Sequence, residues 1–195
     1  MQKAMPAAVT YHVPARVTAR RAWVRVHSRA LAQAITLTRL AWHARAVADR
    51  FEEIDSVYQA IGAGLFDSDD LHQALSARDP DEAAFFSLVV VGSEIDNGGF
   101  AQLFTNSTGD LYADAIAGAG RFDLNEHARL LRDAGRDFFP GGVPADQSAR
   151  LKRWEAVAER RSVDERLTQL DERWYGLSDA LEQRLHAYAQ TRISR

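Results

Sequence analysis

Residues 79–110 read DPDEAAFFSLVVVGSEIDNGGFAQLFTNSTGD, and the fold turns on whether this stretch is strand, membrane span or helix. Asp79 is a residue type that caps helices, Pro80 suits a first turn, and Asp81 and Glu82 favour the positive end of a helix dipole. The apolar run behind them, AAFFSLVVV at 83–91, is far short of the ~20 residues that cross a bilayer. After so strong a start signal it is too long for a half-exposed strand. The reading is a buried central helix, in spite of the β-branched triplet Val89, Val90 and Val91.

Two interruptions follow, Asp96-Asn97-Gly98-Gly99 and then Asn106-Ser107-Thr108-Gly109. Gly98 and Gly99 tolerate positive φ and Asn97 is the next best residue there, so the helix is expected to stop and turn. Phe100, Leu103 and Phe104 then fall on one face and point into the core. Ser107 followed by Asp110 has the spacing of a capping box opening the next helix. On this reading the stretch is an elbow whose polar residues serve as caps. The other reading makes 94–109 the site of a small-molecule enzyme or ligand-binding protein, a concave pocket lined by Glu94, Asn97 and Asn106.

Outward from the elbow the pattern stays helical. Ile54, Val57, Tyr58 and Ile61 form an amphipathic stripe ended by Gly62 and Gly64, and DSDD at 67–70 offers caps for a short helix through Ala77. Helices are expected from Leu111 to Ala119 and from Leu124 to Phe139. The second of these is opened by Asn125 or Asp123 and closed by Pro140-Gly141-Gly142. Residues 147–161, 164–175 and Ser178 to Arg192 complete the set, with Leu151, Trp154, Val157, Leu167, Leu170, Trp174, Leu181, Leu185 and Tyr188 as core candidates. The fold class is all-α: one compact multi-helix domain over 46–195, preceded by a basic extension over 1–45 that is partly disordered or loosely packed.

Composition narrows the chemistry. The chain of 195 residues has no cysteine, which excludes disulfides, thiol nucleophiles and thiolate-held metals. None of its six histidines falls in a metal-ligand spacing, and His127 beside Glu126 is expected to face solvent. Asp67-Ser68-Asp69-Asp70 begins like a calcium loop but lacks the glycine and glutamate that such a loop needs. No nucleophile elbow, phosphate loop or dinucleotide fingerprint occurs. The expectation is therefore a cytoplasmic protein without enzymatic activity, cofactor, metal or membrane segment.

The net charge of −3 conceals an asymmetry. Residues 1–50 carry nine Lys/Arg against one acid, and residues 51–149 carry five Arg against eighteen Asp/Glu, balances of +8 and −13. Such segregation speaks to partners more than to fold. Asp67, Asp69, Asp70, Asp79, Asp81 and Glu82, within sixteen residues, are the candidate partner-binding acids, with Glu52, Glu53 and Asp55 extending them.

The string EIDNGGFAQLFTNSTGD at 94–110 also resembles the signature of a bacterial family of DNA-mimic proteins, DNA mimic protein nineteen and its relatives. The matching positions are Glu94, Asn97, Gly98, Gly99, Phe100, Phe104, Asn106, Ser107 and Gly109. The C-terminal LDERWYGLSDALEQRLHAYAQ at 170–190 resembles the family's closing helices, and the likeness covers roughly residues 50–192. It implies an all-helical, often dimeric protein whose acidic surface imitates duplex DNA. Such a surface occupies the DNA-binding face of a transcription regulator and does not itself bind DNA. Carboxylates on rigid helices offer Arg and Lys the anions that phosphates otherwise supply.

Overall fold

Asp79 performs the capping its position promises. Its side chain accepts from the backbone N–H groups of Asp81 at 2.9 Å and Glu82 at 3.4 Å, and with Pro80 at the first turn a 26-residue helix begins. The computed structural model describes residues 45–65, 68, 71–158 and 161–194. The extension at 1–44 lies outside them, as do Asp67, Asp69 and Asp70.

Among the described residues there are eight α-helices, one 3-10 turn and no strand. The helices are α1 (Arg45–Gly62), α2 (Leu71–Ser76), α3 (Pro80–Thr105), α4 (Tyr112–Arg121), α5 (Asn125–Phe138), α6 (Gln147–Ala158), α7 (Arg161–Tyr175) and α8 (Ser178–Ile193), with the 3-10 turn at Ser107–Leu111 between α3 and α4. None of them is long and apolar enough to cross a membrane.

The apolar run makes α3 the centre. It packs against α1, α4, α6, α7, α8 and the 3-10 turn, and Phe85, Phe86, Leu88, Val91, Ile95, Phe100, Leu103 and Phe104 are all buried along it. The valines tolerate the helix because neighbours cover nearly all of its circumference, so burial outweighs their modest propensity penalty. Phe104 is the hub of the lower core. Its ring lies 4.9 Å from Phe139, 5.6 Å from Trp154, 5.8 Å from Tyr112 and 6.0 Å from Phe138, mostly edge-on or tilted.

The predicted stripe on α1 is real. Ile54, Val57 and Ile61 are buried, Tyr58 stacks on Phe86 at 5.1 Å, and the helix lies along α8 and α3. Two ion pairs give its direction: Arg50 meets Glu182 at 3.6 Å and Glu53 meets His186 at 2.9 Å. Partners advance together in sequence, so α1 and α8 run parallel.

One local expectation holds and several give way. The helix does break at Gly98 and Gly99, with Gly98 non-helical (φ −161°) and Gly99 left-handed (φ 71°), and a second helical segment runs on to Thr105. Asn97 stays helical and exposed. No capping box forms beyond it: residues 107–111 make a 3-10 turn, Asn106 caps nothing with its side chain, and the Asp110 carboxylate is taken by Arg150 at 2.7 Å. A charged hydrogen bond to a buried guanidinium outweighs a local cap.

Helix α5 is preceded by Leu124 with no side-chain cap, so neither Asn125 nor Asp123 has that role. Asp123 instead takes the left-handed turn (φ 59°) and faces Arg184 at 3.4 Å. Pro140-Gly141-Gly142 does close α5, with φ of 93° at Gly141 and 102° at Gly142.

Candidate functional site

The two sequence features that carry function lie on one helix, the acids at the start of α3 and the elbow at the kink within it. At the start, Asp79 is exposed and engaged as the cap. Asp81 is paired with Arg121 at the end of α4, and Glu82 with Arg192 at the end of α8. Of the extending acids, Glu52 is exposed, Glu53 holds His186, and Asp55 accepts from Gln59 at 3.4 Å. The described part of this face is therefore partly neutralised by arginines from α4 and α8. No sequence spacing foretold those arginines, because they arrive from 40 and 110 residues away.

The elbow is built by side chains turned on one another. A helix interrupted at Gly98 and Gly99 leaves N–H groups without intrahelical partners where it resumes. The Phe100 N–H donates instead to Asp171 Oδ1 on α7 at 2.9 Å. A Cβ on Gly99 would overlap that same carboxylate, so glycine is required there both for its φ and for the room. One turn along α7, the Trp174 indole donates to Asp96 Oδ1 at 3.0 Å, and the Tyr175 hydroxyl donates to the Ile95 carbonyl at 3.3 Å. Helix α7 thus grips the kink at three points.

Across the kink, Glu94 Oε2 receives Gln102 Nε2 and Asn106 Nδ2, each at 2.8 Å. Glu94 thereby ties the first half of α3 to the last residues of the second. These bonds are tertiary, not caps, but they consume the same polar groups. Burial raises the Asp171 carboxyl to about 6 against the opposing pull of the Phe100 N–H. The Tyr175 hydroxyl is pushed up to about 12 by burial and then by the charges of Asp171 and Asp96.

The second break is organised around Arg150 on α6, whose side chain is fully buried. Its guanidinium donates to the carbonyls of Phe104 (3.1 Å), Asn106 (2.6 Å), Pro144 (3.0 Å) and Ala145 (3.0 Å) and to Asp110 (2.7 Å). A Cβ on Gly109 would collide with the Leu103 carbonyl and with this guanidinium. Of the remaining signature residues, Phe100 and Phe104 are core and Ser107 is exposed.

His127 departs from expectation. It is buried, 1% exposed, and packed edge-on against Trp174 with centroids 5.2 Å apart. The cause is register: α5 turns His127 inward with Ala128, Leu130 and Leu131 while Glu126 stays out. Sequence reasoning missed it together with Arg150 and Asp171, which look like ordinary surface residues in a helical pattern.

Among the described residues no group of three His, Asp or Glu side chains gathers as a metal site. One recess of about 300 Å³ lies among Asp137, Phe138, Val157, Ser162, Val163 and Arg166. No elbow residue lines it.

With this geometry in place, comparison with known proteins identifies the family. The sequence model of the family described as DMP19-like protein matches residues 76–192. It begins at the last residue of α2 and runs through α8, so the signature string and both clamps fall inside it and α1 falls outside. No curated protein and no solved structure gives a match.

Proposed function

We propose, from the premise that this chain belongs to the DMP19-like protein family, that it is a non-enzymatic DNA mimic. It binds a DNA-binding protein, such as a transcription regulator, and competes with DNA for it. The observation that carries this reading is charge: residues 51–149 hold eighteen acids against five arginines. A surface that binds phosphates at their close spacing along a duplex accepts carboxylates on the same Arg and Lys side chains.

The contact surface on this reading comprises Asp67, Asp69, Asp70, Asp79, Asp81 and Glu82. Asp81 and Glu82 already share arginines of their own chain, so a basic partner must exchange with Arg121 and Arg192 to reach them. Asp79 has no ion pair among the described residues, so its charge is reached without such an exchange. The elbow supports the reading indirectly by holding α3 to one shape.

The test is capture from native lysate at low and high salt by the wild-type chain and by a chain reversed in charge at Asp69, Asp70 and Asp79. A DNA-binding regulator held by wild type at low salt, released at high salt and lost by the variant supports mimicry. Equal capture by both chains overturns the assignment of these acids. The ligand-site reading of 94–109 has less support, since Glu94 and Asn106 are bonded to each other and no elbow residue lines the recess.

A further inference from the structure

Three polar side chains are fully buried among the described residues: Ser87, His127 and Arg150. Two of them are accounted for. Ser87 donates to the Ala84 carbonyl at 3.1 Å, and Arg150 has its five acceptors. His127 is the exception. The Leu177 backbone lies on one side of the ring, while Nε2 is buried with no hydrogen-bond partner.

A nitrogen sealed in the core is tolerable only as a bare acceptor. The ring is then neutral with its proton on Nδ1, a tautomer assigned from the unpartnered Nε2. A proton added at Nε2 creates a donor with no acceptor and a charge in an apolar setting, which an imidazole escapes by leaving the core.

What His127 touches gives this consequence. Its ring lies 5.2 Å from Trp174 at 89°. Trp174 holds Asp96 at 3.0 Å and meets Phe100 edge-on at 6.1 Å, and Phe100 donates its N–H to Asp171. All three holds on the kink, Asp171, Trp174 and Tyr175, thus sit on the stretch of α7 whose Trp174 meets His127.

We infer that His127 is a proton-operated release for the kink of α3: neutral, it seats Trp174 and keeps α7 clamped; protonated, it leaves the core and frees Trp174 from Asp96. This inference goes beyond the mimic reading and does not depend on it.

The surrounding charges set the sign. On α5 itself, Glu126 favours the charged ring weakly, and it is shared with Arg129. Across the seam with α7 stand the pairs Asp133–Arg173 and Asp137–Arg166, together with Asp171 and Tyr175. From α4 comes the Tyr112 hydroxyl, bonded to the Leu131 carbonyl, and from α3 the Asp96 carboxylate, held by Trp174. Desolvation outweighs the Leu177 backbone and Glu126, so the His127 pKa falls below its ordinary 6.5. A depressed folded pKa contributes stability above the ordinary value and loses it as pH falls through the folded one. Asp171 opposes this, since its raised carboxyl takes up a proton more readily in the folded chain.

The experiment is an acid titration of the full chain followed by near-UV circular dichroism, comparing wild type with His127→Phe. Wild type should lose its tertiary signal below pH 6.5, and H127F should move the midpoint down by about one pH unit or more. Equal midpoints, or a wild-type signal unchanged down to pH 4, overturn the proposal. Should H127F fail to fold, nitrogen-15 NMR on wild type decides. The Trp174 indole resonance should shift with the same midpoint as the His127 ring, and an indole indifferent to that titration overturns it.

Discussion

The two breaks in SEIDNGGFAQLFTNSTGD look alike in sequence and are held by opposite chemistry. At the first, α3 resumes after Gly99 and offers an orphan N–H, which is met by a carboxylate, Asp171 of α7. At the second, α3 ends and offers carbonyls at Phe104 and Asn106, which are met by a guanidinium, Arg150 of α6. A helix start carries partial positive charge and a helix end partial negative charge, so each break draws the ion its polarity selects. Gly-rich punctuation therefore marks where a helix is interrupted, and the polarity of the exposed backbone decides what secures it.

The sharpest way to break the comparison is at Arg150. Replacement by Ala leaves four carbonyls and Asp110 without their donor, and the cost should be about 3–5 kcal/mol. Arg150→Lys should recover little of it, because a single ammonium cannot fork to five acceptors. A urea titration of each variant checks both statements.

At the first break, Gly99→Ala forces a side chain into left-handed backbone and into Asp171, with an expected loss of about 2–3 kcal/mol. A double-mutant cycle with Asp171→Ala should recover part of that loss by removing the overlapped carboxylate. Purely additive losses would mean that backbone strain alone sets the cost.

Asp171→Asn tests the charge separately. The amide still accepts from Phe100 but has no ionised form to desolvate, so at pH 7 the variant should match wild type or gain on the order of 1 kcal/mol. The folded carboxyl sits at about 6 against an ordinary 3.8. The folded chain therefore holds more protons between these values, and this group's contribution makes stability fall as pH rises from about 4 to about 6. The slope should be absent in D171N. A slope that survives would place the titration elsewhere.

The smallest effect is at the acidic end of α3. Asp79→Asn keeps a capping oxygen, so melting should change by only a few tenths of a kcal/mol. If the charge at Asp79 serves the partner, capture weakens nonetheless. A variant that melts and binds like wild type confines Asp79 to its cap.

Much of this architecture was legible in the chain. The Asp79 cap, the buried apolar helix, the Phe100, Leu103 and Phe104 face and the stripe at Ile54, Val57 and Ile61 are local patterns, and period and capping chemistry are local physics. The failures share a cause. Asp171 reaches Phe100 across 71 residues and Arg150 reaches Phe104 across 46, and a charged residue in a helical pattern reads as surface until its partner is known. His127 failed on register alone, since Glu126 beside it does face solvent. The break at Gly98 and Gly99 was legible as well, but the hold that α7 takes on it was not, since Asp171 lies 71 residues from Phe100.

The parallel course of α1 and α8 sets where the described chain enters and leaves. Arg50 lies beside Glu182 and Glu53 beside His186, so the first turn of α1 is level with the first turn of α8. At 1.5 Å per residue, an 18-residue helix separates its two ends by about 27 Å. A label at the start of α1 and another after Ile193 would therefore report from opposite ends of this helix pair. A linker closing the described chain into a ring would have to run the length of that helix, about eight extended residues.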